Sequence, residues 1–96
     1  MPYITQDARW LVDEKIDELV ENFRKDIGWG NTGAANYVIT RVILGCMKPT
    51  DKWNYSSLSD VIKSLECSKL EIYRRLVAPY EDKCIDKNCD LQEFTN

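Results

Sequence analysis

Histidine is absent from this chain of 96 residues. Its absence removes the commonest general base and the commonest metal ligand together. No apolar run approaches the roughly 20 residues of a membrane span, and the N-terminal Met1-Pro2-Tyr3-Ile4-Thr5-Gln6-Asp7 has no basic stretch followed by an apolar one, so neither a span nor a signal peptide is expected. A basic surplus is also missing. Thirteen Lys and Arg stand against sixteen Asp and Glu, a net charge of -3, which argues against a general grip on nucleic-acid phosphates. Low-complexity stretches and internal repeats are not visible.

What is present is the balance of one globular domain over residues 1–96: 44% hydrophobic and 30% charged residues. A cytoplasmic location is expected. The four cysteines are Cys46, Cys67, Cys84 and Cys89. Cys46 and Cys67 fall in apolar helical patterns and read as small buried hydrophobes. Cys84 and Cys89 form one isolated CxxxxC, without the repeated tighter pairs of a zinc site. No cofactor is expected.

Apolar periodicity predicts an all-α fold: a small bundle of three main helices plus a short fourth after Pro79. Val12, Ile16, Leu19, Val20, Phe23 and Ile27 form one stripe, predicting a helix from Thr5 to Ile27. Thr5 or Asp7 suits its N-cap, and its acids lie early and its bases late, as the helix dipole favours. The segment 28–33 contains three glycines and reads as a connector; it lacks the Lys-Ser/Thr ending of a phosphate-binding P-loop. Ala34 to Met47 is predicted as a second helix, although its β-branched residues would also suit a strand. Arg41 is its only charge and must snorkel, pair or meet a ligand.

Residues 48–55 read as a polar loop that carries two aromatic residues, Trp53 and Tyr55. Ser57 and Asp60 resemble a capping box opening a third helix that runs to Ala78. Pro79 then starts the short helix Tyr80–Lys87, with Asn88 as its cap and residues 89–96 as a flexible tail. The second and third helices carry more apolar surface than one small bundle buries, so a homo-oligomer is expected.

The densest group of charged and aromatic residues is Lys63, Lys69, Arg74 and Arg75 with Tyr73 and Tyr80; Lys69, Tyr73, Arg74, Arg75 and Tyr80, with Arg41 as a further cation, are the candidate ligand contacts. Arginine forks match phosphate bidentately, and tyrosine offers a face to a base. Adjacent arginines point about 100° apart on a helix, so one is expected to pair with Glu71 or Glu81 and the other to be available. The plainer reading is a charged face with local Glu–Arg pairs. Glu66, Glu71, Asp86 and Asp90 form an acidic group, but Glu66 and Glu71 lie roughly 140° apart on a helix, poorly placed for Mg²⁺.

The stretch from Leu65-Glu66-Cys67-Ser68-Lys69-Leu70 through Glu71-Ile72-Tyr73-Arg74-Arg75-Leu76-Val77-Ala78-Pro79 to Tyr80-Glu81-Asp82-Lys83 resembles a family of short, uncharacterised proteins from bacteria and their phages. Met1-Pro2-Tyr3-Ile4 and Asn36-Tyr37-Val38-Ile39-Thr40-Arg41 resemble it too. Members tend to close this region with Glu-Asn-Gly-Asp-Val-Tyr, where this chain has Lys87-Asn88-Cys89-Asp90-Leu91-Gln92, so Cys89 replaces a glycine. The resemblance implies a phage-type setting and no particular activity.

Three functions are therefore carried forward. One is a non-enzymatic binder that sequesters a phosphorylated small molecule, such as a nucleotide immune signal. The second is an interaction adaptor or inhibitor using an apolar helix face, with Trp29 and Trp53 as exposed aromatic anchors. The third is a small Mg²⁺-dependent nucleotide pyrophosphohydrolase.

Overall fold

The computed structural model describes residues 2–28 and 30–95, and these are all-helical, with no strand among them. Helix α1 spans Gln6–Asp26, α2 Thr32–Cys46, α3 Tyr55–Ile72 and α4 Ala78–Asn88. A π-helical segment, Tyr73–Val77, joins α3 to α4, and 3₁₀ turns cover Pro49–Trp53 and Gln92–Phe94. The chain divides into one unit over Tyr3–Val61 and another from Ile62 onward that also takes in Pro2.

Local sequence explains each boundary. Thr5 caps α1, its Oγ1 accepting from the Ala8 N–H at 3.3 Å. The far end closes on Gly28, whose φ of 86° is open to glycine at little steric cost and whose N–H donates to the Phe23 carbonyl at 2.8 Å. Asn31 caps α2 by accepting from the Ala34 N–H at 2.9 Å, so α2 begins two residues before Ala34. The strand alternative for this segment is overturned. The expected polar loop holds a 3₁₀ turn, fastened by the Lys48 N–H donating to Asp51 Oδ2 at 2.9 Å.

Two start signals differ from expectation. Asn54, not the Ser57–Asp60 pair, caps α3: its Oδ1 accepts from the Ser56 N–H at 2.9 Å and the Ser57 N–H at 3.4 Å. The Ser57 hydroxyl instead donates to Asp51 Oδ1 at 3.3 Å. At Pro79 the expected short helix is present as α4, with the proline in its first turn, but it begins at Ala78 and the chain enters it without a break. Ile72, Val77 and Ala78 all have right-handed helical dihedrals, and the Ala78 N–H donates to the Tyr73 carbonyl, five residues back. Proline supplies no N–H and its ring crowds the carbonyl four residues earlier; widening the turn into a π segment accommodates both demands without ending the helix.

The apolar stripes are real, but no described residue is buried. Ile16, Val20, Leu58, Ile62 and Leu76 all stand exposed. Cys46 is likewise exposed and Cys67 only half-buried, so the expectation that both are buried hydrophobes is overturned. No helix among the described residues is long and apolar enough to cross a membrane.

Candidate functional site

Five of the six expected ligand contacts lie along the end of α3, the π segment and the start of α4. Lys69 Nζ stands 3.4 Å from Glu66 Oε1, one helical turn earlier. Arg74 Nη2 donates to Glu71 Oε1 at 2.6 Å, and Arg75 Nη1 lies 3.8 Å from the same oxygen. The i+3 and i+4 spacings bring both guanidinium groups back over one carboxylate. Glu71 is the most sheltered member, its side chain 16% exposed, whereas both arginines are more than half exposed. A paired and an available arginine were expected; both reach Glu71, and two positive charges share one carboxylate oxygen.

Glu81, the other acid expected to hold an arginine, is engaged by Tyr73. The Tyr73 hydroxyl donates to Glu81 Oε1 at 2.5 Å, a bond that straddles the π segment. Accepting this bond, the Glu81 carboxylate holds the phenol in its protonated form and raises its pKa above 10.0; the negative charge of Glu81 acts in the same direction, with smaller contributions from desolvation and from Asp82. Tyr80 stands 68% exposed.

Arg41 belongs to the unit Tyr3–Val61. Its Nη1 donates to the Tyr37 hydroxyl at 2.8 Å, and its guanidinium carbon lies 5.7 Å from the Tyr37 ring centroid. The only charge of α2 is thus satisfied by an aromatic neighbour one turn away, combining a hydrogen bond with a cation–π contact. Position 37 is four residues before Arg41, so the pairing is readable from spacing once α2 is taken as helix.

Among the described residues, no three His, Cys, Asp or Glu side chains converge closely enough to hold a metal ion. The four cysteines are free thiols. An open depression on α1 is lined by Asp17, Val20, Glu21, Arg24 and Lys25, all from one helix. Of the two tryptophans proposed as anchors, Trp53 stands 90% exposed at the end of the 3₁₀ turn; Trp29 lies outside the described residues.

The DUF6899 family, described as a domain of unknown function, matches residues 1–91. The chain belongs to the DUF6899 family. The match takes in α1 to α4 and every residue of the candidate site. No curated protein and no solved structure matches this DUF6899 chain.

Proposed function

We propose that this DUF6899 protein is a non-enzymatic interaction module, an adaptor or inhibitor that works through apolar helix faces and assembles with copies of itself. One observation carries the reading: apolar side chains align along the helices at helical spacing, yet no described residue is buried. A chain that leaves such stripes uncovered lacks the burial that offsets the entropy of folding, and contact with another surface supplies it. Large exposed apolar patches mark interaction surfaces in soluble proteins. A cytoplasmic setting, in the host if the gene is carried by a phage, accords with this use.

A second reading is favoured by the two guanidinium groups over Glu71. An anionic ligand placed there would meet guanidinium groups that are more than half exposed, with Tyr73 or Tyr80 against a base or sugar and Lys69 as a further cation. On this reading the protein sequesters a phosphorylated small molecule, as a counter-defence sponge for a nucleotide signal. Arg74→Ala or Arg75→Ala would then weaken ligand binding by about ten- to a hundredfold, the worth of a charge-assisted hydrogen bond. A Mg²⁺-dependent hydrolase has weaker support, because Glu66 and Glu71 face Lys69 and the arginines.

Thermal-shift measurements against mono-, di- and cyclic nucleotides, with and without Mg²⁺, separate the three. The interaction module predicts no shift with any of them. A stabilising nucleotide recovered intact would establish sequestration, and one recovered cleaved would establish hydrolysis.

A further inference from the structure

Two weak points fall close together where α3 passes into α4. In the π segment Tyr73–Val77 the ladder is widened, the Ala78 N–H reaching back five residues to the Tyr73 carbonyl. Just beyond it, Pro79 offers no N–H at all. Sharp helix bends occur at prolines and at π turns, and here the two coincide. The dihedrals at Ile72, Val77 and Ala78 are nevertheless all right-handed helical, so the chain runs through without a break. The bond from the Tyr73 hydroxyl to Glu81 Oε1, at 2.5 Å, crosses both weak points. It exists because of the widened turn. In plain α-helix, positions eight apart lie about 80° from each other around the axis. Each residue of a π turn advances about 82° rather than 100°, so five of them take back about 90° and bring Glu81 into line with Tyr73.

We infer that the π segment and Pro79 form a hinge between α3 and α4, and that the Tyr73–Glu81 bond is the strap that holds it in one setting. A phenol donating to a carboxylate makes a charge-assisted bond, strong enough to bias a hinge. Both residues are exposed, so the bond can be exchanged for water without unfolding either helix. Unfastened, α4 swings and turns against α3 and carries Tyr80 and Ile85 with it, both of them exposed. The strap thereby sets which surface α4 offers. Its parts all lie in the unit from Ile62 onward. The device is independent of the function proposed above: it operates whether that surface meets another protein or an anion.

Spin-label distance measurements test the strap. The labels sit at Lys63→Cys and Lys87→Cys, about 36 Å of helix apart with the hinge between them, in a chain whose four native cysteines are replaced by serine. Dilution with unlabelled chain restricts the reading to pairs within one chain. This parent should give one narrow distance distribution. Tyr73→Phe, which removes only the hydroxyl, should broaden it and add a component shorter by about 5 Å, the effect of a bend of about 60°. Glu81→Ala opens the same bond from its other side and should do the same. Adding Pro79→Ala to Tyr73→Phe restores the missing N–H and should make the distribution narrow again. Circular dichroism should show the parent's helical content in every variant. A broad distribution in the parent, or a narrow one in Tyr73→Phe, overturns the strap. Broadening in only one of the two strap variants, or loss of helical signal in either, overturns it too. A distribution that stays broad once Pro79→Ala is added places the bend elsewhere and overturns the hinge.

Discussion

Cys89 follows the last residue of α4 with φ 71° and ψ 155°, a backbone region that is essentially reserved for glycine. Cys89→Gly should relieve the strain at a smaller cost in unfolded-state entropy, for a net gain of about 1 kcal/mol and a melting temperature higher by about 4–8 °C. An unchanged or lower melting temperature would show that the turn tolerates cysteine without strain. Tyr73 gives a second test at this scale. Its pKa is raised, so its bond to Glu81 is fully present below pH 10.0 and is lost as the pH rises through the higher folded value. In a spectrophotometric alkaline titration, Tyr73→Phe should remove a phenol step that lies above pH 10.0, and Glu81→Gln should move that step back toward pH 10.0. A titration curve that Glu81→Gln leaves in place contradicts the bond.

Among the elements, α1 was legible almost to the residue, because Thr5, the apolar stripe and Gly28 all mark the same helix. α3 was legible in type but not in its start. Ser57 with Asp60 has the capping-box spacing, but Asn54 sits at the true boundary and takes the two amide donors. Asn54→Ala should therefore cost about 1 kcal/mol, the usual worth of an N-cap. Ser57→Ala should cost less in thermal unfolding, since it removes only an exchange of hydroxyl partners with Asp51. The reverse order would restore Ser57 as the cap. The π segment was not legible. Pro79 signals trouble for a helix, but whether the chain stops or widens is settled by how the turns on either side are held. The same is true of the site. Both pairings to Glu71 follow from spacing, whereas the Tyr73–Glu81 bond spans eight residues, about 12 Å of ordinary α-helix, and depends on the widened turn. Pro79→Ala returns an N–H to the ladder and should let α3 and α4 merge into plain α-helix, releasing that bond. Amide exchange across Tyr73–Val77 should slow in this variant; unchanged exchange would mean that Pro79 does not cause the π segment.

At the scale of the whole molecule, the helical periodicity was in the sequence and what covers its apolar stripes was not. A stripe at 3.6-residue spacing says that a face will be covered, without saying whether the cover is the same chain or another. On the proposed reading the cover is another copy, which would place folding and assembly in one equilibrium. Such a protein is stabilised by mass action, so its stability depends on its own concentration. Melting followed by circular dichroism across a hundredfold dilution into the low micromolar range is the most direct measurement. Coupled assembly predicts a melting temperature that falls steadily with dilution, the helical signal being lost together with the oligomer. A melting temperature that stays constant across the series, with full helical content in a species of 11.2 kDa, would contradict it.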